Sequence, residues 1–559
     1  MMHRSLSILI ACAFLAQPGV AQRKSDEART YRSLTRAMES FGAVMREVHT
    51  TYVDDVDAET MVQEGISAML KHLDPYSTYM RSDETEELDM LSTGNYVGFG
   101  ISVARRDGIL TITDVRDDGP AYGTGMRIGD RLVAVDSVRT DTMVPSELRP
   151  HSRGSSGTTS TLKLTRDGLK DTIVVRVTRR ELPVRVVSHA EVLPGGIGYI
   201  RLERFARGTG SAVRKALSKF RDECDLKGIV LDLRDNPGGL LDAAVDVVEL
   251  FVPRGSVIVS TRGRSEQERK TYVSNEDPIE PTAPLAVLIN RSSASASEIV
   301  AGAIQDLDRG VIIGERSFGK GLVQTMAPMP NDATLKLTTS RYYTPSGRSI
   351  QAIDYRAARE TAASHTKGSS HALPGLPQFN TLRGRKVEQL HGIDPDTVVS
   401  DSVLPSLLAY VDRSGAFSSF ASVWTSKRDS LPAGFKVDKG LLEQCYDYID
   451  SLPAEKKSAV LQELASNRRK AAEQGYSPSA LKGLEQAERA IERDFSRALR
   501  QHQAAITEIL EREIRIRFGT DQVRQSRMLR TDPLVRVARD ILNSANYTTM
   551  LGGQVPADQ

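Results

Sequence analysis

The sequence predicts a multidomain α+β chain. It has a helical N-terminal segment, a glycine-punctuated β domain, an α/β domain on a mostly parallel sheet, and a helical C-terminal region. Three observations carry this reading. A length of 559 residues asks for three or four domains at roughly 150 residues each. Apolar spacing switches from threes and fours to alternation near residue 94, and from 181 strands and helices take turns. From about 430 the spacing is helical again and laced with charge. Lys+Arg 74 against Asp+Glu 72 leaves a net charge of +2, which gives no basic excess for nucleic acid. A hydrophobic content of 40% with 26% charge describes ordinary cores, not disorder or a multi-span membrane protein. Aromatics at 5%, with one Trp, argue against a carbohydrate-binding surface.

The first 21 residues read as a secretory signal peptide: Arg4, an apolar run over 6–16, then small residues ending at Ala21, after which cleavage is expected. The run is too short to span a bilayer stably, and no later stretch reaches 18 uninterrupted apolar residues. Leu9-Ile10-Ala11-Cys12 offers a second reading, a lipoprotein box that would leave Cys12 lipidated, although Ala13-Phe14-Leu15 flanks it badly. Cys224 and Cys445, the two cysteines beyond the leader, read as small apolar residues; their spacing says nothing for a disulfide.

Residues 22–93 form the helical segment, with Leu34, Met38, Phe41, Met45 and Val48 recurring at three and four. Over 94–180, Val97 to Val103, Ile109 to Thr113 and Arg131 to Val135 read as strands between glycines. In the α/β domain, 181–410, strands at 197–202, 228–233, 285–289 and 310–314 alternate with helices at 209–222, 240–251 and 296–307. Such alternation calls for a largely parallel sheet with helices on its faces. Residues 356–384, rich in Ala, Ser, Gly and Pro, read as a surface loop. In the C-terminal region, 411–559, Leu481, Leu484, Ile491, Phe495, Leu499, Ile506 and Leu510 lie near one helical stripe, read as bundle core.

Four stretches are candidates for chemistry. Arg291-Ser292-Ser293-Ala294-Ser295-Ala296-Ser297-Glu298 lies between a buried strand and a helix. It is either a capping turn or a nucleophile's turn whose helix N-terminus faces a developing oxyanion. Gly314 to Gly321 nearly spells a phosphate loop, but Gly321 stands where the Mg²⁺-holding hydroxyl belongs, so nucleotide is not expected. Asp232-Leu233-Arg234-Asp235-Asn236-Pro237-Gly238-Gly239 is turn chemistry whose glycines let backbone N–H groups approach a substrate oxygen. Tyr96-Val97-Gly98-Phe99-Gly100-Ile101 is similar to the loop with which PDZ domains hold a terminal carboxylate. A Ser needs a base, and no GxSxG elbow is present, so an α/β-hydrolase triad is disfavoured. Lys320, taken alone, reads as a generic surface lysine in a turn; were it to act as a base, only the neutral amine could serve, and Phe318, Leu322 and Val323 supply apolar neighbours that would depress its pKa. No His/Cys/Asp/Glu cluster was recognised at ligand spacing, so no metal or other cofactor is expected.

Together these stretches resemble the carboxyl-terminal processing (tail-specific) proteases, serine peptidases with a PDZ domain and a Ser–Lys dyad. Leu73-Asp74-Pro75-Tyr76-Ser77, Ile197-Gly198-Tyr199-Ile200 and Tyr343-Thr344-Pro345-Ser346-Gly347-Arg348-Ser349-Ile350-Gln351 add to the match, which covers about 30–355. Ser292, where the family often has Gly, and Ile128, where it often has Pro, depart from the pattern. The resemblance implies Ser295 as nucleophile, Lys320 as base 25 residues on, and Gln324 orienting the amine. Ala296 and either Gly238 or Gly239 would form the oxyanion site; Phe99, Gly100 and Ile101 would hold the substrate's tail. It implies an exported endopeptidase of the periplasm or cell envelope, acting on proteins or peptides with free C-termini. A homo-oligomer stays open, and so does whether the PDZ-like domain inhibits or delivers. The rival reading is a non-catalytic periplasmic tail-binding scaffold or chaperone.

Overall fold

A computed structural model of the protein describes residues 18–81, 85–106, 108–265, 268–355, 357, 378–399, 405–428, 430–432, 434–519, 523, 525–526, 529–530 and 532–552. The leader's apolar run, Cys12 and most of the expected surface loop lie outside them. The chain divides into two compact units, Met1–Tyr79 and Met80–Gln559. The first carries the helices Pro18–Thr51 and Ala58–Lys71, the second of them capped by Asp57, whose side chain accepts from Thr60 N. The apolar stripe of the long helix at Leu34, Met38 and Phe41 is exposed.

In the second unit, the β domain is an antiparallel sheet whose edge strand Ile101–Arg106 pairs with Ile109–Val115 alone, beside the helix Pro145–Ser152. Asn95–Gly98 and Arg180–Pro183 pair antiparallel, so the chain enters and leaves this domain at one place.

The α/β domain is built on six strands in the order Val187–Leu193, Ile197–Leu202, Gly228–Asp232, Leu285–Ile289, Val311–Gly314 and Thr397–Val398. The first pair is antiparallel and the rest are parallel. Strands covered on both faces read as unbroken apolar runs, as Ile229-Val230-Leu231 does. Ile229 and Leu231 face a core made with the helices Thr209–Glu223, Leu241–Glu249 and Ala296–Asp306. Val230 faces the other way, toward Leu534, Val535, Ala538 and Leu542 of the helix Pro533–Leu542. The second face of the sheet is therefore closed by the far end of the chain. A smaller antiparallel sheet runs Leu322–Pro328, Thr334–Tyr343, Val257–Arg262, Lys270–Val273.

Residues 378–380, expected in the surface loop, instead form a strand paired with Lys386–Glu388. The expected C-terminal stripe is indeed core: Phe495, Leu499, Ile506 and Leu510 are buried against Phe417, Leu442 and Ile449, while Leu481, Leu484 and Ile491 are half-buried. Its helix breaks at His502, between Pro478–Gln501 and Gln503–Arg515. Both cysteines beyond the leader are free, and burial pushes the Cys445 thiol up. No described helix is long and apolar enough to cross a membrane.

Candidate active site

The site grows from two turns at the carboxyl ends of neighbouring parallel strands. The strand Leu285–Ile289 leads through 290–294 to Ser295, held at φ 55 and ψ −111, where the helix Ala296–Asp306 begins. A side chain at such a φ is strained and persists only where its surroundings fix it. Here the fixing groups are the neighbouring serines. Ser293 Oγ donates to Leu233 O at 2.8 Å and Ser297 Oγ to Asn236 O at 2.9 Å, both fully buried. Ala294 N also reaches Asn236 O, and Asn290 exchanges hydrogen bonds with Asp235 through Oδ1 and Nδ2. Two of the three serines are thus spent on the turn 233–236, and Ser295 alone of the three lines the groove.

Lys320 comes from the loop after the strand Val311–Gly314, and one carboxylate holds that loop against the Ser295 turn. Glu298 Oε1 accepts from Ser317 Oγ (2.5 Å) and Gly319 N (2.7 Å), while Oε2 accepts from Ser295 N (2.8 Å) and Lys320 N (2.9 Å). Burial pushes this carboxyl up to about 7, against the pull of those four donors. The Tyr342 hydroxyl bridges the same two elements, lying 3.1 Å from Ser295 O and 2.5 Å from Lys320 O. Gln324 sits where the strand Leu322–Pro328 bulges between Val323 and Gln324, and its Nε2 donates to Thr338 Oγ1 at 3.3 Å. A bulge re-aims the side chains on either side of it. Phe318, expected to desolvate the Lys320 amine, is instead half out in solvent, with only its N–H engaged, on Ser293 O, before the chain turns at Gly319 (φ +87). Leu322 and Val323 do line the groove with Lys320.

The groove encloses about 370 Å³ and brings together Ser295, Ala296, Lys320, Gln324, Gly238 and Gly239, with Leu240, Leu241 and Ile299 as an apolar wall. Both glycines are required by close approach. A Cβ on Gly238 (φ +99) would stand 2.7 Å from Ala294 O and 2.9 Å from Ala296 N; one on Gly239 (φ +146) would stand 2.0 Å from Phe205 O. Gly238 N donates to Asn236 Oδ1. Among the described residues, the Gly239 and Ala296 N–H groups meet no protein acceptor.

Sequence reasoning missed the supports. Arg234, fully engaged, bonds Asp232 and reaches Asp532 Oδ2 at 2.7 Å, while Tyr199 OH donates to Asp232 at 2.6 Å. Burial works against the Asp232 charge, but the Arg234 guanidinium overcomes it and holds the carboxyl below its ordinary range. Arg348 lies buried at the far end of the Ser295 helix, on Asp306 Oδ1 at 2.8 Å and Gln305 Oε1 at 2.7 Å. Gln351 Oε1 accepts from Gly321 N. A His–acid grouping that the sequence did not suggest, Glu388, His391 and Asp394, forms away from the groove, with Arg316 paired to Asp394. Phe99, Gly100 and Ile101 do not line the groove. Phe99 is buried in the β-domain core under the Arg179 guanidinium, and Ile101 starts the edge strand. Phe99 O and Gly100 O accept from Ala121 N and Arg116 N, while the N–H groups of Phe99 and Gly100 meet no acceptor among the described residues.

The sequence matches the family described as Peptidase family S41 over 196–356 and a PDZ domain over 97–177. It also matches the C-terminal helical domain of a probable PDZ-protease over 407–542 and the N-terminal domain of the activating protease CtpB over 13–85. It is 37% identical over 359 residues to a carboxy-terminal-processing protease of Bartonella bacilliformis, covering 63% of this chain and 81% of that one. It is 30% identical over 342 residues to the carboxy-terminal processing protease CtpB of Bacillus subtilis, covering 60% and 68%. Among solved structures, the photosystem II D1 C-terminal processing protease is 26% identical with a TM-score of 0.38, covering 65% of this chain and 88% of that one.

Proposed function

This chain belongs to the carboxy-terminal-processing proteases of peptidase family S41, which are serine-type peptidases, and we propose that it is an exported endopeptidase working through a Ser295–Lys320 dyad. The observation that carries the assignment is the fate of the three serines: two hydroxyls are consumed by buried carbonyls, and Ser295 stands in the groove with Lys320. In the acylation step the neutral Lys320 amine takes the Ser295 proton as Oγ attacks the scissile carbonyl. The oxyanion accepts from Ala296 N–H, at the positive end of its helix, and from Gly239 N–H. Gly238 N–H is not that second donor, because Asn236 Oδ1 already takes it. The protonated Lys320 then gives its proton to the leaving amine, and water, deprotonated by the same amine, releases the acyl group. With Nε2 turned to Thr338, Gln324 presents its carbonyl oxygen to the amine and orients it without adding a charge.

The β domain captures substrate tails. Its open edge strand Ile101–Arg106 accepts an extended peptide as an added strand, and the unused Phe99 and Gly100 N–H groups receive the terminal carboxylate. The substrates are proteins. The deciding experiment incubates the full chain and Ser295→Ala with β-casein, an unstructured protein with a free C-terminus, and identifies products by mass spectrometry. Wild type yields defined fragments and Ser295→Ala yields none, with an unchanged thermal unfolding midpoint. Wild-type fragments from Ser295→Ala would remove Ser295 from the mechanism.

A further inference from the structure

Glu298 lies in the first turn of the Ser295 helix, three residues after the nucleophile, and is fully buried outside the groove. Its two oxygens take four donors: the backbone N–H of Ser295, the backbone N–H groups of Gly319 and Lys320, and the Ser317 hydroxyl. Each of the three N–H donors has a fixed direction, so all of them need an acceptor in its place. A carboxylate satisfies all four at once; a protonated carboxyl turns one acceptor into a donor that faces other donors. We propose that Glu298, as a carboxylate, is the positioning residue that fixes the nucleophile's turn against the loop carrying the base. It touches neither substrate nor the reacting atoms. It sets the spacing of Ser295 and Lys320 by holding the N–H of each on the same oxygen, Oε2.

The remaining charges around it are committed elsewhere. On the elements packed against Glu298, Arg291 pairs with Glu315, Arg316 with Asp394, and His391 with Glu388 and Asp394; on its own helix Asp306 pairs with Arg348. Lys320, through its own loop, and Tyr342, through its hydroxyl on Ser295 O and Lys320 O, are the other titratable groups. No ion pair to Glu298 forms among the described residues, so its charge rests on hydrogen bonds alone, and burial brings its protonation to about neutral pH. Acid therefore disarms the clamp before the fold fails.

This inference rests on the Ser295–Lys320 reading, and it deepens that reading into a two-proton requirement: Glu298 and Lys320 must both be deprotonated. The test measures kcat and KM on fluorescently labelled β-casein between pH 5.5 and 9 for the full chain, Glu298→Gln and Ser317→Ala. Misplacing one reactant by about 1 Å costs roughly a hundredfold, so Glu298→Gln loses about a hundredfold in kcat, with KM within threefold. The acidic limb of log kcat against pH has a slope of two in wild type and one in Glu298→Gln. Ser317→Ala removes one donor from the carboxylate and keeps the slope of two, but moves the Glu298 limb upward by about one pH unit. A merely structural residue would change neither slope nor limb. Should Glu298→Gln fail to fold or leave no measurable rate, Ser317→Ala decides, and an unmoved limb overturns the proposal. A slope unchanged in Glu298→Gln, or kcat within tenfold of wild type, also overturns it. If Ser295→Ala remains active, the dyad reading itself has failed; if Ser295→Ala is dead while Glu298→Gln behaves as wild type, only the role of Glu298 has.

Discussion

Replacing Gly238 by Ala should silence the protease. The added methyl would stand 2.9 Å from Ala296 N, 3.0 Å from Ser295 Cβ and 2.7 Å from Ala294 O. Carbon cannot accept a hydrogen bond, so the methyl obstructs the Ala296 N–H on the side where an oxyanion must sit. Removing one oxyanion donor costs about 10²–10³ in kcat, and the same methyl crowds the nucleophile's own Cβ. A kcat at least a thousandfold down is expected on labelled β-casein. The backbone term is separate: an alanine at φ +99 costs about 1–2 kcal/mol. Gly255→Ala supplies the control. Gly255 has φ +86 and nothing within 4 Å of its virtual Cβ, so it carries a similar backbone cost without a blocked donor. Gly255→Ala should therefore melt a few degrees below wild type and keep wild-type kcat, while Gly238→Ala, whose methyl also overlaps two backbone atoms, should melt lower still. A Gly238→Ala enzyme that cleaves within tenfold of wild type would refute the placement of the oxyanion beside Ala296.

Lys320→Arg should be as inactive as Lys320→Ala, because a guanidinium keeps its proton at any working pH; turnover by the Arg variant at a tenth of the wild-type rate or better would count against an amine base. Amidating the tail of a model peptide should lower kcat/KM about ten- to a hundredfold, since each charge-assisted hydrogen bond to the carboxylate is worth about 1.5–3 kcal/mol; equal cleavage of acid and amide tails below saturation would exclude carboxylate reading. Stability should run opposite to activity in pH. Burial raises the Glu298 carboxyl from 4.5 to about 7, so its contribution is fully present below pH 4.5 and is lost as pH rises through 7. The unfolding free energy of wild type relative to Glu298→Gln should accordingly fall by about 3 kcal/mol from pH 5 to 8; a pH-independent difference in denaturant titrations would contradict the linkage.

Periodicity made the sheet legible, because a strand buried on both faces must read as Ile229-Val230-Leu231 and a helix over it as an amphipathic run. Which helix covers which face was not legible. Leu534, Val535, Ala538 and Leu542 announce an apolar helical face, but nothing local says that the face packs on Val230 and Leu288, far earlier in the chain. The middle serine was reached by resemblance; the physical reason for it, that Ser293 and Ser297 donate to Leu233 O and Asn236 O, exists only once two strands stand side by side. Glu298 had a local signal that went unused. Ser295 and Glu298 stand at the spacing of a capping box, in which the acid reaches back to the N–H of the first residue, and that bond forms. Its other three bonds come from a loop about twenty residues on, beyond any local rule. Phe318 shows the opposite failure. Its apolar neighbourhood was inferred from closeness in sequence, yet Gly319, at φ +87, turns the backbone between Phe318 and Lys320, and Phe318 is 52% exposed.

The turn that carries Gly238 and Gly239 is held from two sides, and the second side is the end of the chain. Toward the nucleophile it is stitched by Ser293, Ser297 and Asn290. Away from it, Arg234 spans Asp232 and Asp532, and the same Asp532 carboxylate caps the helix Pro533–Leu542 by accepting from Leu534 N and Val535 N. A buried ion pair is weak evidence for net stability, because desolvation cancels much of the attraction. Its directional bonds nonetheless fix register. Asp235 at φ 61 and Ser295 at φ 55 occupy conformations that a free turn would abandon. They persist because the turn between them cannot move without breaking buried hydrogen bonds on both flanks. The helix at the far end of the chain is thus part of the scaffold that aims the oxyanion donors, joined to them through Arg234, two residues from Asn236 and four from Gly238.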